Sequence, residues 1–173
     1  MKSKIWGLGL SRTGTTTLTH VLNQIGFNHI HYPSDDDMMS FNNDGASDIP
    51  VIPKFKKLDI MFPNSKFILT TRDKQKWLKS MNTYLERKRN WNQSTRQVDI
   101  RTQVYKEPFF VYEVYDRVFD EHERKIKEYF KNRPGSLLIL NIVDGIDKPQ
   151  KLFDFLGVNA KMDEFPHKNE LKR

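Results

Sequence analysis

An α/β fold, a parallel β-sheet flanked by helices on both faces, is what this chain predicts, on three observations. Short apolar runs at 5–10, 66–71 and 137–143 alternate with longer segments whose apolar residues recur at i, i+3, i+4 and i+7. Glycine or proline stands where those helical segments should end, at Gly26, Pro63, Pro134-Gly135 and Gly157. Parallel strands need crossover connections, and segments of this period supply them as helices. The chain has 173 residues against about 150 for an average domain, so one domain over 1–173 is expected, with a polar basic tail over 158–173.

Each element has its own warrant. Ile5 to Leu10 reads as a buried strand, interrupted by Gly7 and Gly9, that runs into a Gly- and Thr-rich loop. Leu18, Val21, Leu22 and Ile25 form the apolar face of a helix starting at Thr15, with Gly26 as its C-terminal cap. Turn formers crowd Ser34 to Asp37 and Asn42 to Asp48, so Phe27 to Pro53 is expected to be an irregular excursion without firm elements. Lys54 to Phe62 forms a short helix with Phe55, Leu58 and Met61 inward, and Lys66 to Thr71 a second strand. Asp73 to Arg87 is a helix with Trp77, Leu78, Met81, Tyr84 and Leu85 on one face. Asn90 to Thr102 is polar and aperiodic, which predicts a surface loop or lid. A stripe from Val111 through Tyr115, Phe119 and His122 to Phe130 predicts a long helix. Leu137 to Val143 is a third strand, and Lys148 to Leu156 a last helix with Leu152, Phe153 and Leu156 inward.

Composition narrows the function classes. Hydrophobic residues make up 37% and charged residues 29%, with 12 Phe, 6 Tyr and 3 Trp, which is enough for a core and excludes disordered and collagen-like chains. The absence of cysteine removes disulfides, thiolate catalysis and cysteine-built zinc sites. No apolar run reaches the length of a membrane span, and the N-terminus has Lys2 and Lys4 without a secretory pattern, so a cytoplasmic protein without a membrane span is expected. The formal charge of +7 favours an anionic partner. Nucleic acid, an acidic lipid surface and a multiply phosphorylated small molecule all fit that charge; the basic residues are scattered, with local clusters that include Lys168 to Arg173, and no nucleic-acid recognition pattern accompanies them, so nucleic acid is not the expected partner.

Gly9-Leu10-Ser11-Arg12-Thr13-Gly14-Thr15-Thr16 has the glycine spacing of a phosphate-binding loop at a helix start. Two glycines permit the bend and the close approach, and the N–H groups of Thr15, Thr16 and Thr17 point along the positive helix end. Thr15 replaces the lysine that grips phosphates in ATP-binding loops, and no apolar strand ending in Asp is evident to hold a cation. No metal site is expected.

Ser11-Arg12-Thr13-Gly14-Thr15-Thr16 resembles the 5′-phosphosulfate loop of the sulfotransferases that use 3′-phosphoadenosine 5′-phosphosulfate (PAPS). Phe67 to Asp73, followed by Trp77 and Ser80, resembles their second signature, in which Arg and Ser eight residues apart hold the 3′-phosphate. Arg72 at a strand end and Ser80 two turns along the next helix can converge on one phosphate at the open sheet edge. Asp48-Ile49-Pro50, Phe62 to Leu69, Leu152 to Gly157 and Phe165 to Asn169 extend the likeness over nearly the whole chain, closest to the small microbial branch. The chain is short for that family, so some acceptor-binding insertions should be missing.

The resemblance implies a P-loop-type fold and transfer of a sulfuryl group from PAPS to a hydroxyl or amine by in-line displacement, leaving adenosine 3′,5′-bisphosphate. It implies cofactor binding by Ser11, Arg12, Thr13, Gly14, Thr15, Thr16, Thr17, Arg72 and Ser80. Arg12 stands where many relatives have Lys; a guanidinium stays charged, so electrostatic stabilisation and not proton donation is its expected role. His31 and Asp48 are the two candidates for the base that activates the acceptor, and the choice between them stays open. His29 reads as a surface residue and His122 as a hydrogen-bonded core histidine. Tyr105, Phe109 and Phe110 are candidates for an acceptor pocket, and His167 and Lys168 for a tail contact. A kinase with a degenerate loop and a non-catalytic nucleotide-binding protein are the alternatives. Oligomeric state and acceptor are not legible.

Overall fold

The computed structural model describes residues 3–89 and 91–166. Its element order is β1 (Ile5–Gly7), α1 (Thr15–Gln24), β2 (His29–His31), α2 (Asp35–Met39), β3 (Gly45–Ser47), α3 (Phe55–Met61), β4 (Lys66–Thr70), α4 (Lys74–Lys88), α5 (Thr95–Tyr105), α6 (Tyr112–Phe130), β5 (Leu137–Leu140) and α7 (Pro149–Leu156). The five strands form one wholly parallel sheet in the order β2-β3-β1-β4-β5. Every pairing follows the expected logic of crossover helices, and the fold is the P-loop-type α/β architecture.

Alternation along the strands divides the core. Ile5, Ile68, Leu138 and Leu140 face Leu18, Val21 and Leu22 of α1 and Leu152 and Phe153 of α7. Trp6, Phe67 and Leu69 face the opposite way, against Phe55 and Leu58 of α3 and Ile126 and Phe130 of α6. Such a two-sided burial is why β1 and β4 read as continuous apolar runs. A third cluster lies beyond the carboxyl ends of the strands, where Trp77, Leu78 and Met81 of α4 meet Val104 and Tyr105 of α5 and Tyr115 and Phe119 of α6. That cluster floors the site described below.

Two stretches differ from the expectation. Residues 27–53 hold β2, α2 and β3 in place of an irregular excursion. Both strands are three residues long and lack a β-branched run, so pairing holds them, β3 on β1 and β2 on β3, and propensity does not. α2 starts at a reciprocal capping box between Ser34 and Asp37. Most of the stretch from Asn90 to Thr102, expected as a surface loop or lid, belongs to α5, which is capped by Ser94 and Gln97. Its inward side carries Gln97 and Arg101 beside Val104 and Tyr105, and polar residues on the inner face hide the helical period.

Candidate active site

The β1–α1 loop is fixed by contacts through its own backbone and short side chains. Ser11 donates its N–H to the Tyr105 hydroxyl (3.0 Å), and its carbonyl accepts from Trp77 Nε1 (2.9 Å). Thr13 Oγ1 donates to the Leu10 carbonyl (2.7 Å), so Thr70 Oγ1, 2.7 Å away, donates to Thr13. A Cβ on Gly9 would fall 1.8 Å from Thr70 Oγ1, so glycine there lets the loop close onto the end of β4. Gly14, at φ +102°, is the N-cap of α1, and neither a capping side chain nor an acidic residue in the first turn offsets the helix dipole. An N-terminus left in that state attracts anions.

Arg12 adopts φ +71°, which throws its side chain off the loop toward α4. Its Nε donates to Ser80 Oγ (3.2 Å), and its guanidinium lies 5.6 Å from the centre of the Tyr84 ring. Arg72 Nη1 donates to the Arg12 carbonyl (3.0 Å), so both Arg72 and Ser80 are gathered onto Arg12. Burial lowers the pKa of Arg12 and Arg72, and the two cations add to this by repelling each other at Arg12. Arg72 stands 4.0 Å from Asp144, also feels the charge of Asp73, and has an Nε buried without a hydrogen-bond partner. Two adjacent guanidiniums, one with an unmet donor, beside an uncapped helix start fit a multiply anionic group.

On the other side of the loop, His31 ends β2 and Asp48 follows β3. His31 Nε2 lies 3.3 Å from Asp48 Oδ2, and 3.3 and 3.1 Å from the hydroxyls of Thr15 and Thr16. Asp48, buried at φ +88°, accepts on Oδ1 from the Ile49 N–H (2.9 Å) and Ser11 Oγ (3.1 Å). Burial pushes its carboxyl up, while His31, the Ile49 amide and the Ser11 hydroxyl act in the opposite direction. The two candidates for the base are therefore one pair. Asp48 directly follows β3, which lies next to β1, although Gly45-Ala46-Ser47 carries no apolar signature.

The pair opens on a cavity of about 200 Å³ walled by Tyr32, Tyr84, Tyr105 and Arg101. Tyr105 is thus part of the wall as expected, whereas Phe109 is exposed and Phe110 packs on Tyr115. Arg101 was not foreseen; its spacing from Gln97, Val104 and Tyr105 is the helical signal that points to it. Of the expected cofactor residues, Thr13 turns into the core and Thr17 toward the Pro166 carbonyl (3.5 Å). Thr13 and Thr17 are left with their backbone to offer a ligand. His122 is a core histidine as expected: Nε2 donates to the Leu8 carbonyl (2.7 Å) and burial lowers its pKa to about 4. His29 is not on the surface. It is buried, donates from Nε2 to the Ile5 carbonyl (3.2 Å), lies 3.1 Å from Thr19 through Nδ1, and burial lowers its pKa to about 3. His167 and Lys168 lie outside the described residues.

A family model described as a sulfotransferase domain matches residues 34–173, a span that includes Asp48, Arg72, Ser80 and Arg101 and begins after the β1–α1 loop and His31. A search of the curated proteins finds no match. Among the described residues no helix is long and apolar enough to cross a membrane.

Proposed function

The chain belongs to the sulfotransferase domain family, and on that premise we propose that it transfers a sulfuryl group from PAPS to the hydroxyl or amine of a small acceptor by metal-independent in-line displacement. The observation that carries this reading is the gathering of Arg72 and Ser80 onto Arg12 at the uncapped start of α1. On this reading the backbone of Ser11 to Thr17 and the Thr15 and Thr16 hydroxyls hold the phosphosulfate, and Arg72 with Ser80 holds the 3′-phosphate. PAPS supplies an activated sulfuryl group whose departure leaves charge on the nucleotide phosphate.

Arg12 meets that developing charge. Its guanidinium is already desolvated and oriented by Ser80 and Tyr84, so little reorganisation accompanies the reaction. Asp48 positions His31: with Nε2–H turned to the carboxylate, Nδ1 becomes the basic nitrogen and takes the proton of the acceptor hydroxyl. Asp48 here has the orienting part that a buried carboxylate plays beside a catalytic imidazole. The Thr15 and Thr16 contacts to the same imidazole join the donor half of the site to the acceptor half.

One observation favours a second reading. Asp48 directly follows a strand next to β1, and Thr16 stands where a phosphate-binding loop places its cation-holding hydroxyl, as in a kinase. Against it, both Asp48 oxygens are engaged, Oδ1 by Ser11 and Ile49 and Oδ2 by His31. Incubation with labelled PAPS or with ATP and Mg²⁺ over an acceptor panel separates the two: sulfuryl transfer supports the first, magnesium-dependent phosphoryl transfer the second.

A further inference from the structure

The cavity beside His31 has an unusual charge at its far wall. Arg101 is only 5% exposed, donates to the Gln93 side-chain carbonyl, and has an Nε buried without a hydrogen-bond partner. No carboxylate pairs with it among the described residues. Lys88, on the same wall, meets the rings of Tyr84 and Trp91 at 5.4 and 4.8 Å and no carboxylate. Asp48 is the single carboxylate of the lining, and it is committed to His31. Burial holds Tyr32, Tyr84 and Tyr105 as neutral phenols, so they cannot balance the cations. A guanidinium kept out of water without a counter-charge is costly unless an anion joins it.

We propose that the acceptor is a small hydroxy acid whose carboxylate is taken by Arg101 and Lys88 while its hydroxyl faces His31. This rests on the sulfuryl-transfer reading and adds the acceptor class. The size agrees: a cavity of about 150 Å³ accommodates benzene, so one of about 200 Å³ takes a single ring or a short chain with its substituents. Orientation follows from charge alone, because the anionic end is drawn to α5 and away from Asp48. The step balances: the hydroxyl oxygen bonds to sulfur as the bond from sulfur to the 5′-phosphate oxygen breaks, adenosine 3′,5′-bisphosphate leaves with that electron pair, the hydroxyl proton passes to His31, and the carboxylate is unchanged.

The test uses the full chain with 4-hydroxybenzoate and 4-hydroxybutanoate, each against its uncharged amide. Binding is measured first by titration calorimetry without nucleotide, then transfer with PAPS, with adenosine 3′,5′-bisphosphate binding as a separate control. At least one acid should bind and react about tenfold or more better than its amide, the range for a hydrogen bond to a charged group. Arg101→Gln should erase that preference and leave nucleotide affinity unchanged. Should Arg101→Gln fail to fold, the comparison of acid with amide on the unaltered chain decides alone. Equal use of acid and amide, or binding of neither, overturns the proposal even when the nucleotide binds. A chain that prefers the acids and ignores the 3′-phosphorylated nucleotide would keep the anion site and remove the sulfuryl-transfer reading.

Discussion

The two halves of the site are built in different ways. On the proposed reading, the donor half is made of consecutive residues on one strand-loop-helix unit plus Arg72 and Ser80, and its loop is held by Tyr105, Trp77 and Thr70. The acceptor half collects His31, Asp48, Tyr84 and Arg101 from four separate segments. The residues of the donor loop are contiguous in sequence and are braced from β4, α4 and α5, whereas the acceptor half has no contiguous core and exists only once β2, β3 and α5 have docked. Substitutions should separate the halves accordingly.

The largest effect is expected on the acceptor half. His31→Asn should lower the rate of sulfuryl transfer about 10²- to 10⁴-fold, as loss of a general base does, while nucleotide affinity measured by calorimetry stays the same. Asp48→Asn should show the same selectivity with a shift of the pH–rate profile, since it alters the imidazole's partner and leaves the imidazole in place. Arg12→Ala should cost about 10²- to 10³-fold in kcat, and unlike His31→Asn it should also weaken the nucleotide, because Arg12 holds Ser80 and supports Arg72. An Arg12→Ala effect confined to the acceptor KM would break the division into halves.

Stability sharpens the same contrast through pH. His29 opens β2 and His122 bonds to the Leu8 carbonyl just before the loop, with pKa values lowered to about 3 and about 4. Both are neutral in either state above pH 6.5 or so; below it the unfolded chain takes protons that the folded chain refuses. Stability should therefore fall with acid by about 1.4 kcal/mol per pH unit per histidine, until His122 protonates near pH 4. Asp48 works in the other direction, since its raised carboxyl takes up a proton more readily folded than unfolded. Denaturant titration of His122→Gln between pH 7 and 4 should show the slope reduced by one proton. The smallest effect belongs to Trp77→Phe, which puts a smaller ring in a fully buried place against Tyr115 and Phe119 and removes the bond to the Ser11 carbonyl. About 1–3 kcal/mol is expected, read as a lowered midpoint in the same titration.

What was legible in the sequence follows the same division. Gly9 to Thr16 and the Arg72 to Ser80 spacing are local patterns, and both reappear as geometry in the folded chain. The long helix stripe from Tyr115 to Phe130 was readable because α6 buries one unbroken apolar face. β2 and β3 escaped because His-Ile-His and Gly-Ala-Ser are too short to show a period and owe their form to pairing, β3 on β1 and β2 on β3. α5 escaped because Arg101 and Gln97 occupy its inner face, and a polar inner face is what a binding wall requires. His31 and Asp48 could each be named from the sequence, yet their pairing depends on β2 and β3 lying side by side, a tertiary fact with no local mark.

The most direct measurement is the melting temperature of the chain with adenosine 3′,5′-bisphosphate, adenosine 5′-monophosphate and ATP at equal concentration. A ligand that binds only the folded state raises that temperature with its affinity. A distinctly larger rise with the 3′-phosphorylated nucleotide, lost in Arg72→Met, is the predicted result. An equal rise with all three, or the largest with ATP, would contradict a site in which Arg72 and Ser80 hold a 3′-phosphate.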